Sequence, residues 1–70
     1  MDEFRLEGHE FVELKNLLKF AGLCESGGAA KAAIAEGRVK VDGHVELRKG
    51  CKVRADQIVE FDSRRVAVRG

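Results

Sequence analysis

Aromatic residues and proline are scarce in this chain of 70 residues. It has no Trp, no Tyr and no Pro, and its four aromatics are Phe4, Phe11, Phe20 and Phe61. All four lie in apolar patterns and are expected in or against the core. No apolar run approaches the roughly 20 residues a membrane helix needs, so a spanning helix is excluded. The start is acidic (Asp2, Glu3), and no basic stretch leads into an apolar one. No secretory signal is expected, and the location expected is cytoplasmic.

Cysteine is also scarce. Cys24 and Cys51 lie far apart, and neither belongs to a C-x-x-C pair. With His9 and His44 they total four possible zinc ligands. Structural zinc sites draw ligands in close pairs, because one turn then presents two at once. Here all four are dispersed, so no metal or other cofactor is expected. Cys24, between Leu23 and Glu25, suits a partly buried apolar filler, and His44 a solvent-facing position. Catalytic signatures are missing too. Neither Ser26 nor Ser63 sits in a nucleophile elbow, and no phosphate-loop motif follows Gly27-Gly28. No acid, base and nucleophile assemble, so the chain is not expected to be an enzyme.

What remains is one small folded domain, residues 1–70, with a hydrophobic fraction of 44%. The net charge of +1 hides segregation along the chain. Residues 1–14 hold five acids and one base, residues 15–55 nine bases and four acids, and residues 56–70 three of each. A basic face on a nearly neutral protein is compatible with this order.

The period changes along the chain. Phe4-Arg5-Leu6 alternates like a short edge strand. Over residues 11–21, Leu14, Leu17, Leu18 and Ala21 fall at i, i+3, i+4 and i+7, which predicts a helix that Gly22 stops. Ser26 is a good N-cap for a second helix. Gly27 and Gly28 leave two alternatives open there: backbone N–H groups bared for an anion, or close packing against a neighbour. Ala30, Ala33 and Ile34 form a small apolar face suited to packing against the first helix, and Gly37 ends the second. Val39 and Val41 alternate with Arg38 and Lys40, so both cations should point away from the core. Asp42-Gly43 signals a hairpin. A strict two-residue loop pairs Val41 with His44. A bulged loop sets Val39 opposite Val45 and suits the apolar pattern better. Arg48-Lys49-Gly50 should be an exposed basic loop. Short strands follow at Lys52-Val53, residues 58–61 and Val66 to Val68. The expected class is α+β: two packed helices, then a small and mostly antiparallel sheet.

Ser26, Ala30, Ile34, Gly37, Val39, Val41 and Gly43 fit S-x-x-x-A-x-x-x-I-x-x-G-x-V-x-V-[ND]-G, and Leu14, Leu18 and Gly22 fit the helix before it. In these residues, over about 11–61, the chain resembles the RNA-binding domain family named after small-subunit ribosomal protein S-four. It looks most like the small stand-alone bacterial members, the YbcJ-like proteins. The resemblance implies an αL-type motif whose helix pair and hairpin bind structured RNA, ribosomal or transfer, with ribosomal particles as further partners; a monomer is expected. Two positions depart from the family pattern. Gly27 stands where Arg usually follows the Ser, and Glu13 stands where a basic residue usually opens the first helix; Lys15 and Lys31 are the nearest substitutes. The candidate RNA-binding residues are Lys15, Lys19, Ser26, Lys31, Arg38, Lys40, Arg48, Lys49 and Lys52. With no exposed aromatic platform expected, recognition of folded RNA by shape and backbone is favoured over stacking of single strands. A protein-binding adaptor that uses the sheet or the acidic N-terminal region is the alternative.

Overall fold

The computed structural model describes residues 2–70. Strand β1 (Asp2–Arg5) leads to a two-residue strand, β2 (Val12–Glu13), and to helix α1 (Leu14–Phe20). Helix α2 (Gly27–Ala35) follows, then β3 (Val39–Val41), β4 (His44–Val45), β5 (Lys52–Val53), β6 (Ile58–Phe61) and β7 (Arg64–Arg69). The main sheet has the order β1-β7-β6-β3-β4, and β2 pairs with β5 in a second, two-stranded sheet. Only β1 and β7 run parallel; the other pairs are antiparallel. The α+β class with a mostly antiparallel sheet is as expected.

The first helix is shorter than its apolar stripe suggests. Residues 12 and 13 are extended, and the helix starts at Leu14. No side chain caps it. Instead the 48–51 segment does so with backbone: Leu14 N–H donates to the Cys51 carbonyl at 2.9 Å, and Lys15 N–H to the Lys49 carbonyl at 3.1 Å. Orphan donors of a helix N-terminus need partners, and here a loop distant in sequence supplies them. The second helix is capped locally, its Ser26 Oγ accepting from Ala29 N–H at 3.1 Å.

Both helices end alike. Leu23 N–H donates to the Leu18 carbonyl and Gly22 N–H to that of Lys19; Arg38 N–H donates to Ala33 and Gly37 N–H to Ile34. These are Schellman closures, with Gly22 and Gly37 in the left-handed region the motif favours. Helix α1 packs on α2. Their buried residues, including Leu14, Leu17, Leu18, Ala30 and Ile34, share one core with Val39, Val59, Val66 and Val68 of the sheet. Cys24 is buried there as a filler.

The hairpin takes the strict two-residue loop, not the bulged one. Val41 faces His44 and Lys40 faces Val45, while Glu46 N–H donates to the Val39 carbonyl at 3.0 Å. Asp42 (φ 51°) and Gly43 (φ 83°) are both left-handed, the geometry of a type I′ turn. The Asp42 carboxylate accepts from Ile58 N–H at 2.9 Å and from Gln57 Nε2 at 3.1 Å, which ties the turn to β6. Turn chemistry and this tether outweigh the apolar match, so Val45 and Leu47 are left 53% and 62% exposed. A Cβ on Gly43 would meet nothing within 4 Å. The loss expected for Gly43→Ala is therefore purely conformational, about 1–2 kcal/mol by urea denaturation, with Gly43→Asn losing less.

Candidate nucleic-acid interface

Charge on this surface divides by residue type. Among the described residues, Arg5, Arg38, Arg48, Arg64 and Arg69 are ion-paired. None of the six lysines is: no Lys15, Lys19, Lys31, Lys40, Lys49 or Lys52 ammonium has a carboxylate within 4.0 Å. The planar guanidinium suits bidentate internal pairing, whereas the ammonium is a hydrated point charge. Five of the seven arginines are thus engaged within the protein, while Arg54, Arg65 and the lysines have no carboxylate partner among the described residues.

Arg38 is one of the five. Its guanidinium lies 3.1 Å from Asp62 and 3.4 Å from Glu36, and 5.0 Å above the Phe61 ring. Hydrogen bonding to Asp62, then to Glu36, pushes its pKa up from an already high value. Arg48 is another. It holds Glu46 through Nε at 3.0 Å and Nη2 at 3.0 Å, and its backbone N–H donates to the same carboxylate. The Arg48 side chain, its backbone and the Cys51 thiol together pull the Glu46 carboxyl from 4.5 down to about 2. Burial, then Glu46, pushes the Cys51 thiol up, and burial does the same to Cys24, so neither is an activated thiolate.

This pairing has a pH signature. A carboxyl whose pKa is lowered by folding stabilises the native state above its unfolded pKa, and loses that contribution as pH falls through the folded value. Glu46 is 17% exposed but Arg48 is 78% exposed, so solvent screens the pair. Glu46→Gln should lose about 1 kcal/mol or less at neutral pH, and the deficit should close between about pH 4.5 and pH 2. Urea midpoints of the two proteins across that range check this.

The nine candidates divide by place. The Lys15–Lys49 backbone bond joins the start of α1 to the basic loop. Lys19 lies one turn further along α1. Lys52 sits in register with Glu13, the residue before α1. Lys31 is exposed on α2, the helix packed on α1. Lys40 and Arg38 are exposed, with Val39 and Val41 between and beside them buried. They therefore point to the sheet face opposite the helices, as their alternation implied. The backbones of Lys49 and Lys52 thus adjoin the start of α1 near Lys15; Lys19 and Lys31 lie on the helix pair, and Lys40 lies on β3. Ser26 is occupied as a cap.

The glycines at the start of α2 are not required by packing. A Cβ on Gly27 would meet nothing within 4 Å, and one on Gly28 only Ser26 Oγ at 3.8 Å. This excludes the close-packing alternative. The aromatic expectation also needs correction, because Phe20 is 63% exposed at the end of α1. Leu14, Leu17 and Leu18 bury, and at 3.6 residues per turn Phe20 projects off the face they share. Arg54 was not among the candidates, yet its guanidinium lies 5.7 Å from the centre of the Phe11 ring, beside Lys52 Nζ at 4.9 Å. The alternation of Lys52 and Arg54 around buried Val53 was the available signal. Among the described residues no three metal-ligating side chains come together, and no helix is long and apolar enough to cross a membrane.

Comparison with known proteins bears on the family and the fold. The family model described as S4 domain matches residues 4–69. The putative RNA-binding protein YbcJ of Escherichia coli strain K12 is 56% identical over 68 residues, covering 97% of each chain. The solution structure of E. coli YbcJ, described as revealing an αL motif involved in RNA binding, matches with a TM-score of 0.79. It is 54% identical, and the match covers 100% of this chain and 89% of that one. A tyrosine–tRNA ligase of Ralstonia nicotianae is 46% identical over 48 residues, 69% of this chain but only 12% of the ligase. The shared part is thus a small fraction of that enzyme.

Proposed function

The chain belongs to the S4 domain family, and from that premise we propose that it binds structured RNA without catalysis, through the lysines of α1, α2 and the 48–52 segment. The observation that carries the reading is the set of six lysines without ion pairs among the described residues, on a domain whose arginines are mostly engaged. Phosphate contacts of this kind position RNA without reading its sequence. Ribosomal and transfer RNA are the targets proposed, with ribosomal particles as the larger partner and a cytoplasmic monomer as the acting form. Lys15 and Lys31 take the place of the family cations absent at Glu13 and Gly27.

The test is titration of the protein against folded ribosomal and transfer RNA fragments, with a single-stranded control, at several salt concentrations. Salt-dependent affinity that favours the folded fragments is the expected result. Absence of binding at low salt overturns the reading. A second reading, a protein-binding adaptor, is favoured by the exposure of Val45 and Leu47 beside the sheet edge. It requires a partner retained after nuclease treatment.

A further inference from the structure

A groove of about 470 Å³ opens between β1, the segment after it and the end of α1. Its volume is within the range of sites that enclose small organic groups, about 300–1,000 Å³. Phe4, Phe11 and Phe20 all line it, three of the four aromatic residues in the chain. Phe20 is mostly solvent-exposed although its helix neighbours Leu17 and Leu18 are fully buried. Arg5, Glu7 and His9 add hydrogen-bonding groups to the lining.

The groove adjoins the lysine set. Phe11 is the shared wall: its ring lies under Lys52 Nζ and the Arg54 guanidinium, at 4.9 Å and 5.7 Å. Neither cation has a carboxylate partner among the described residues. Arg5 is drawn 3.6 Å from Glu3, and Glu7 brings a negative charge to the lining. The lining thus carries one cation and one acid, Arg5 and Glu7, and the cations without carboxylate partners stand beside Phe11.

We propose that this groove takes an unpaired nucleobase of the bound RNA, stacked on Phe20 and Phe11, with the adjoining phosphate toward Lys52 and Arg54. The inference rests on the RNA-binding reading and deepens it. An extruded nucleotide carries a flat π face, a hydrogen-bonding edge and an attached anion. The groove presents aromatic rings and polar groups, and two cations stand over one of those rings. A base inside a duplex offers none of its faces, so the groove selects folded RNA that has a bulge or loop.

The experiment uses the full chain and two RNA hairpins, one fully paired and one identical except for a single unpaired nucleotide in the stem. Stacking of one base is worth about 1–3 kcal/mol by alanine substitution, so Phe20→Ala should weaken the bulged hairpin by about 5- to 150-fold. Affinity for the paired hairpin should not change. Phe20→Trp should keep the preference for the bulge. Because the chain has no other Trp and no Tyr, its emission reports on the groove alone, and should be quenched by the bulged hairpin only. Equal losses on both hairpins, or no loss, overturn the groove assignment while leaving RNA binding intact. So does indole emission that neither hairpin alters, which would point to a partner of another class, such as an apolar protein side chain. Failure of wild type to bind either hairpin at low salt overturns the RNA-binding reading and this site with it.

Discussion

Replacing Lys15, Lys31 and Lys49 together with glutamine is expected to flatten the salt dependence of RNA affinity by about 2–3 units of log K against log salt. Each ammonium that neutralises a phosphate releases a condensed counterion, and the slope counts those releases. Glutamine is polar, uncharged and a good helix former, so α1 and α2 should persist. The informative control is Arg38→Gln with Arg48→Gln. Those guanidinium groups already face Asp62, Glu36 and Glu46, so they have less charge to offer an RNA. Their loss should leave the slope close to that of wild type. Fluorescence anisotropy titrations at four or more salt concentrations measure both. A lysine variant that folds and retains the wild-type slope would sink the site, and a flattened slope in the arginine variant would reverse the division of labour.

The second large effect concerns the fold. Leu17→Ala should cost about 2–5 kcal/mol, because it empties a wholly buried position between the helix pair and the sheet. A domain this small has little stability to lose, since its total lies toward the low end of about 5–15 kcal/mol. Melting should fall by roughly 10–40 °C. Phe20→Ala, three residues along the same helix, removes a larger side chain from an exposed position and should move the melt far less. Thermal denaturation followed by circular dichroism compares the two. A Leu17→Ala melt near wild type would mean the core closes over the gap or that α1 contributes little to it.

The unit from Ser26 to Gly43 was legible because its instructions are local. Ser26 caps the residue three ahead, Gly37 closes a helix within its own last turn, and Asp42-Gly43 sets a two-residue loop. The cap and the helix stop need no distant partner, and the Asp-Gly pair marks where the chain turns, though not its register. The start of α1 was less legible. Its apolar stripe extends back to Phe11 in helical period, yet residues 12 and 13 pair with Lys52-Val53, about 40 positions on. The carbonyls of Cys51 and Lys49 then stand in for the missing cap. The hairpin register failed for a related reason. Asp42 is tied to Gln57 and Ile58, and that tether outweighs the exposure of Val45 and Leu47.

The candidate site shows the same boundary. Composition and motif placed cations on the helix, strand and loop, and the pattern of small and apolar residues around them pointed to the family. Thirteen basic residues are indistinguishable along a string except by type and neighbour. Whether a charge is neutralised depends on what lies within a few ångströms of it, and Arg38 finds Asp62, 24 positions away, only when β3 pairs with β6. Phe20 and Phe11 likewise share a groove only because β1, α1 and the segment between them meet. The sequence by itself determined the two helices and their stops, the Ser26 cap, the place of the hairpin turn and the family, since those follow from short-range backbone chemistry and apolar period; the strand before α1, the cap of α1 and the hairpin register needed distant partners. Tertiary structure alone decided which cations remain free and which aromatic rings face outward, because charge screening and burial are properties of neighbours in space.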